Sequence, residues 1–255
     1  MEEIWQHIGL LVVLFSRISA FLFMLPVFGN RSVPLPAKIG LSVFVSILLL
    51  SMMRGSVGEL PDETISFILV IVKEVLVGIT LGFTTKFLVA GVQMAGELVG
   101  IQMGFGVARV MDPAFQAQVS IIAEFQIVLM LLFYLTLNGH HFLLNGLFQS
   151  YESIPIAKSF IGGGIGRHVV DMAAGMFQAA VKIGAPVIVT LLLLNIALGI
   201  IARTVPQMNI FIVGLPLRLG VGFLALAVTV TLFLHLFRNI WSRFQQDFVA
   251  VIRLF

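Results

Sequence analysis

Charged side chains inside long apolar runs are the residues of this chain that could carry chemistry. A lipid-facing charge near the centre of a membrane helix costs roughly 2.5 to 3.5 kcal/mol, so the whole set would cost on the order of 20 kcal/mol in lipid. These side chains must therefore mostly face protein or water. The set comprises Arg17, Lys73, Glu74, Lys86, Glu97, Glu124 and Lys182, with Arg203 between the last two runs.

Two kinds of role are open to these charges. They could relay protons or solute through the membrane, or they could form structural ion pairs between subunits. Lys86 and Glu97 lie near one helix face but about 16 Å apart along the axis, so they cannot pair within one helix. Their partners would lie on other helices or other chains. The absence of an aligned carboxylate–histidine series favours structural pairing.

No motif in the sequence indicates catalysis or a bound cofactor. The chain has no cysteine, and adjacent His140 and His141 would point in different directions with no nearby carboxylate to complete a metal site. The glycine-rich segment 162–166 lacks the Lys-Ser/Thr of a phosphate-binding loop. A strand-borne G-x-S-x-G is also missing. We therefore predict a protein that is not an enzyme and has no catalytic residue, metal or cofactor.

Composition places the chain in the membrane. Of its 255 residues, 59% are hydrophobic and only 11% are charged, and the mean hydropathy is +1.10. These values are typical of an all-α integral membrane protein rather than of a soluble domain. The formal charge of +3 comes from scattered residues, which argues against nucleic-acid binding. The acidic N-terminus and the long run after it predict a first membrane segment that is not cleaved.

Several elements must position the charges. Apolar runs predict membrane helices over residues 4–28, 39–53, 119–137, 169–201 and 209–236. The second run is short unless residues 34–38 join its start. Residues 138–141 are expected to form a turn, 142–151 a short amphipathic return, and 238–255 an amphipathic polar helix or a frayed end.

The central apolar stretch, residues 65–106, is too long for an ordinary span. As one helix it would measure about 60 Å, twice the hydrocarbon thickness of a bilayer. It either folds back near residues 91–100 or extends beyond the bilayer inside a larger assembly. The charges of the loops and of the two chain ends also predict membrane orientations that a single set of spans cannot satisfy together. Together these features suggest that some hydrophobic segments do not cross the bilayer in the usual way.

Small residues and a break follow one another within this central region. Glycines at four-residue spacing predict faces where another helix backbone approaches closely. These are Gly78 and Gly82, then Gly96, Gly100 and Gly104. Bulky residues and Asp112-Pro113 then interrupt the helix. Such a loop at membrane depth is tolerable only inside protein or beside a water-filled cavity.

Several stretches, in this order and spacing, resemble the FliR family of flagellar type III export-gate proteins over essentially the whole chain. They are Arg17 with Leu25-Pro26-Val27-Phe28-Gly29, Val33-Pro34 with Lys38, Lys73-Glu74 with Gly78 and Gly82, the glycines of residues 96–106 with Asp112-Pro113, Asn138-Gly139-His140-His141, and residues 203–211 with Gly214 and Pro216.

The resemblance implies long, kinked helical hairpins assembled into a multi-subunit export gate. It implies a FliP-like part over residues 1–151, a connecting segment over 152–168 and a FliQ-like part over 169–255. It also implies FliP-like and FliQ-like partners, nearby FlhB-like and FlhA-like components, and unfolded flagellar proteins as export substrates. The location would be the bacterial inner membrane at the flagellar basal body.

The resemblance also implies a plug, the loop that closes the export channel, at residues 104–118. Its expected members are Phe105, Val107, Arg109, Val110, Met111, Asp112, Pro113 and Phe115. A bulky apolar loop would exclude water and ions when closed. Two alternatives stay open from the sequence. One is the equivalent subunit of a virulence type III secretion system, and the other is a self-contained small-solute transporter with a broken helix near the midplane.

Overall fold

The computed structural model of the chain describes residues 2–30, 32–52, 60–61, 63–106, 120–156, 164–205, 207 and 209–255. These residues form seven helices and no strand. The helices are α1 (Glu2–Met24), α2 (Leu35–Met52), α3 (Thr64–Met103), α4 (Ile121–Thr136), α5 (Gly139–Ser153), α6 (Gly164–Thr204) and α7 (Ile210–Arg253). The all-α class predicted from the sequence is confirmed.

The first connection shows how proline and glycine separate two spans. After α1, the N–H of Gly29 donates to the carbonyl of Leu25 at 2.7 Å, which closes the turn around Pro26. Helix α2 begins at Leu35, with Pro36 in its first turn, where a missing N–H is tolerated. The short second run is thus extended to 18 residues, as the joining of residues 34–38 predicted.

Helix α3 resolves the question of the overlong central stretch. It runs unbroken for 40 residues, about 60 Å at 1.5 Å per residue, so the alternative of a fold-back near residues 91–100 is wrong. It ends at Gly104, whose φ of +99° is readily adopted by glycine and rarely by other residues. Helices α6 and α7 are similarly long, with 41 and 44 residues, and contain Pro186 and Pro216.

Two expected boundaries differ from the structure. The predicted turn at residues 138–141 is shorter, because only Asn138 leaves the helical conformation, with φ of +53°, and α5 already begins at Gly139. His140 and His141 therefore lie in the first turn of α5. The C-terminal tail is neither frayed nor a separate element, since α7 continues without a break to Arg253.

The helices have the length and composition of membrane spans. Five of those in the described ranges are long and apolar enough to cross a membrane, and a sixth candidate is the pair α4 and α5, read as one broken span. The chain folds into two compact units. Unit 1 contains residues 1–87, 134–173 and 244–255, and unit 2 contains residues 88–133 and 174–243.

Candidate functional site

A buried ion pair lies in the interior of unit 1. Arg17 on α1 donates from Nε to Oε2 of Glu74 on α3 at 2.6 Å, and neither side chain is exposed. An unpaired charge here would be strongly unfavourable, because the surrounding protein is apolar. The two charges are thus paired inside this chain through Oε2 of Glu74, while its buried Oε1 has no hydrogen-bond partner among the described residues.

The rest of the Arg17 guanidinium binds the end of a third helix. Nη1 donates to the carbonyl of Ser150 at 3.1 Å, and Nη2 donates to the carbonyl of Ile154 at 3.0 Å. These carbonyls belong to the C-terminal turn of α5 and its cap, where the helix dipole favours a positive charge. Arg17 therefore connects α1, α3 and α5 through one side chain.

Tyr151 completes this buried polar network, and the sequence did not single it out. Its ring lies 4.2 Å from Cζ of Arg17, a distance at which a cation is attracted to the aromatic face. Its hydroxyl donates to the carbonyl of Leu14 at 3.1 Å. The available signal was weak, namely a tyrosine beside Glu152 at the end of a short amphipathic return.

Glycines allow α3 to approach α1 closely at the ion pair. A Cβ added to Gly78 would lie 2.9 Å from Cβ of Ala20 and closer still to the carbonyl oxygen of Arg17. At Gly82, one turn later, it would meet the side chain of Met24. Neither position has room for a side chain, so the backbone spacing that brings Glu74 to Arg17 depends on both glycines.

In unit 2, glycines hold α3 against the start of α4. A Cβ on Gly96 would lie 2.8 Å from the backbone nitrogen of Ala123, and one on Gly100 would overlap the side chain of Ser120. Residues 107–119 lie outside the described part of the chain. The described residues that flank them, Phe105 on one side and Ser120 on the other, both pack within unit 2.

The described start of the predicted plug also packs inside unit 2. Phe105 lies against an apolar core, and its ring makes an edge contact with Phe223 on α7, with centroids 6.4 Å apart. A Cβ on Gly104 would lie 2.6 Å from Leu215. The core consists of Val99, Met103, Ile122, Val187, Leu191 and Leu226. The remaining predicted plug residues, Val107, Arg109, Val110, Met111, Asp112, Pro113 and Phe115, lie outside the described residues.

The other predicted intramembrane charges lie at or near the surface of the chain. Glu97 is half-buried and accepts a hydrogen bond from Gln93 at 3.1 Å. Five more are exposed and form no ion pair with any residue that the structure describes: Lys73, Lys86, Glu124, Lys182 and Arg203. The structure thus brings Arg17 and Glu74 together and leaves the others free of ion pairs within the described ranges.

A second polar contact, not anticipated from sequence, joins the first part of α6 to the last part of α7 within unit 1. His168 on α6 lies 3.2 Å from the carbonyl oxygen of Asp247 on α7, and 4.0 Å from a carboxylate oxygen of the same residue. Their separation of 79 residues gave no local signal. As for metals, the described ranges contain no group of three side chains that could hold an ion.

These features define a polytopic, all-α integral membrane protein with buried charge and exposed apolar helices. The chain belongs to the family described as bacterial export proteins, family 1, whose model matches residues 8–244. It is 38% identical to the flagellar biosynthetic protein FliR of Bacillus subtilis (strain 168) over 95% of this chain and 94% of that protein.

Other relatives carry the same name. Identity is 32% to the FliR protein of Escherichia coli (strain K12), over 89% of this chain and 87% of that protein. It is 29% to that of Aquifex aeolicus (strain VF5), over 100% and 97%. The resemblance to the FliR family is confirmed, and the chain is a component of the flagellar type III export apparatus.

Proposed function

We propose that this chain is a non-enzymatic gating subunit of that apparatus and forms part of the channel through which unfolded flagellar proteins leave the cell. Its partners would be FliP-like and FliQ-like gate subunits, with FlhB-like and FlhA-like components nearby. The site would be the inner membrane at the flagellar basal body. The flagellar names of the relatives favour this system over a virulence secretion system.

The observation that carries the proposal is the packing of the described residues that flank 107–119. Gly96 and Gly100 hold the start of α4 against α3, while Phe105 packs into the apolar core of unit 2. A run of bulky apolar residues between two packed helix ends suits a plug, because an apolar constriction excludes water and ions. A passing chain could displace such a loop without breaking specific bonds.

The great length of α3, α6 and α7 supports membership of a larger assembly. Each exceeds the hydrocarbon thickness of about 30 Å roughly twofold. Much of their apolar surface is exposed in the isolated chain, as at Leu193 and Leu224. Neighbouring subunits would cover the exposed apolar surface of these helices that extends beyond the thickness of a bilayer.

The proposed three-part division remains a prediction based on family likeness. It is supported by the position of the connection, because α5 ends at Ser153 and α6 begins at Gly164. The two compact units group residues differently, since the long helices α3, α6 and α7 each contribute residues to both.

Deletion of residues 104–118 from the assembled gate tests the plug. We expect ion leakage through the reconstituted complex to increase, because the apolar constriction is gone. Replacing residues 107–115 by a Gly/Ser segment of equal length should leak similarly, which separates loss of bulk from loss of length. Gly40→Ala, at a position with open space around it, serves as the control.

Co-purification with the FliP-like and FliQ-like subunits must be measured on the same samples. An unchanged leak in a fully assembled gate would refute the plug. Solute uptake by the purified chain alone would instead support the transporter alternative.

A further inference from the structure

The first half of α3 has one face that no described part of the chain covers. Its apolar side chains recur at helical spacing and are between 37% and 67% exposed. They are Ile65, Ile68, Leu69, Val72, Leu76, Ile79 and Phe83. The opposite face is buried in unit 1 through Val77, Leu81 and Glu74. Both faces are apolar, so burial in this chain uses only half of a helix suited to burial on all sides.

Two lysines border the exposed face. At 100° per residue, Lys73 lies at one edge and Lys86 lies at the other, roughly 140° around the helix and about 20 Å along its axis. Both are exposed, and neither forms a hydrogen bond or ion pair with a residue that the structure describes. Glu74, the chain neighbour of Lys73, points the other way and is bound to Arg17.

No position of a bilayer along α3 avoids both lysines. A hydrocarbon layer of about 30 Å takes up about 20 helical residues. The parts of α3 before Lys73, between the two lysines and after Lys86 are each shorter than that. Where α3 crosses a bilayer, at least one ammonium group therefore lies within or at the edge of the hydrocarbon and requires water or an acidic partner. Where α3 is covered by a neighbouring apolar helix instead, a lysine in that contact has the same requirement.

We propose that this face of α3, residues 65–86, docks a membrane helix of another protein subunit that carries carboxylates opposite Lys73 and Lys86. The inference rests on the proposed function and adds the chemistry of the partner. Close packing of the apolar side chains between Lys73 and Lys86 would supply contact area. The carboxylates would neutralise the two lysines and fix the position of the partner helix along the axis of α3.

A second copy of this chain is a poor occupant of the same face. The face itself carries no carboxylate, because Glu74 is fully buried on the opposite side of α3. In a two-fold symmetric dimer the same surface contributes twice, so only cations would meet across it. Charge complementarity thus selects a different chain with acidic side chains.

Photo-crosslinking from Leu76, which is exposed at the centre of this face one turn after Lys73, tests the proposal. A photoreactive residue is placed there in the full chain, expressed with the complete export gate, and the adduct is mapped by mass spectrometry. We expect a peptide from a membrane helix with an Asp or Glu within one turn of the attachment point. Adducts with lipid only, with a second copy of this chain, or with a peptide lacking carboxylates would overturn the proposal.

Charge variants sharpen the test. Lys73→Glu or Lys86→Glu should lower the adduct yield at least about tenfold, since like charges then face each other. Changing the mapped partner carboxylate to Lys should restore the yield. Lys38→Glu is the matched control, because Lys38 already binds the carbonyl of Asn30 at 2.8 Å within the chain. Lys73→Met with a wild-type yield would contradict the carboxylate pairing.

The two proposals fail in different ways. If the chain does not co-purify with FliP-like and FliQ-like subunits, the proposed function fails, whereas an acidic helix of any other subunit mapped at Leu76 would still support docking at this face. Normal co-purification with lipid adducts alone would overturn only the docking face.

Discussion

Unit 1 has a buried charge network in addition to its apolar core, whereas the core described in unit 2 is an apolar cluster. In unit 1, Arg17 makes directional bonds to Glu74, Ser150 and Ile154 on two other parts of the chain, all of them buried. The core of unit 2 is an apolar cluster around Met103 and Leu191. Hydrogen bonds of defined length and angle permit one arrangement of helices, whereas apolar side chains can repack.

This difference suggests which unit accommodates movement. The predicted plug begins at Gly104 and Phe105, whose described neighbours outside α3 include the apolar side chains of Leu215 and Phe223 in unit 2. Unit 1 holds its helices in register through a charge that is unfavourable to expose to lipid or to leave unpaired. We therefore expect gating motions to repack unit 2 while unit 1 keeps its arrangement.

Breaking the ion pair should have the largest effect. Glu74→Leu or Arg17→Met leaves one buried charge unpaired, which should destabilise the chain by about 3–5 kcal/mol. Thermal melting of the detergent-solubilised protein, followed by size-exclusion chromatography, measures the loss. The double variant should recover much of it, because no lone charge remains. A double variant as unstable as either single variant would contradict this account.

Conservative substitutions should show the difference between the two units most clearly, because unit 2 should tolerate them better than unit 1. Leu191→Met keeps the volume of the apolar core and should cost less than about 1.5 kcal/mol, while Leu191→Ala should cost about 2–5 kcal/mol. Arg17→Lys keeps the charge but cannot reach three acceptors in the same planar geometry, so it should be poorly tolerated. Equal melting temperatures for Arg17→Lys and Leu191→Met would remove the distinction between the units.

Helix spacing should have a smaller effect than the ion pair. Gly78→Ala places a methyl group against Ala20 and the backbone of α1, and overpacking of this kind costs about 1–3 kcal/mol. Gly40→Ala is the matched control, because no atom lies within 4 Å of its added Cβ. Its stability should be unchanged or slightly higher, given the helix propensity of alanine. Similar melting temperatures for the two variants would show that α1 and α3 do not depend on this close approach.

The sequence predicted the helical class, most helix positions and the positions where charge would need a partner. These depend on local properties, such as the length of an apolar run, a proline or a four-residue glycine spacing. It could not identify Glu74 as the partner of Arg17, because they are 57 residues apart and several other charges were available. Nor could it show that α7 continues to Arg253, since the polar tail also fits a frayed end.

The structure separates the intramembrane charges that one sequence pattern grouped together. Glu74 and Lys73 are neighbours in the chain, yet one is buried and paired while the other is exposed. Which of the two residues is buried depends only on which face of α3 packs inside unit 1. Predicted subunit contacts at Lys73, Lys86, Glu124, Lys182 and Arg203 remain predictions, since their test requires partner chains.

The Arg17 network also has a consequence for biogenesis. Arg17 leaves the ribosome 57 residues before Glu74 and 133 residues before Ser150, so its guanidinium enters the translocation machinery long before any of its ligands exists. Until α3 arrives, this charge must stay in contact with water or with the insertion machinery. We therefore expect α1 to reach its final packed position late. This step requires that α5 has already been synthesised.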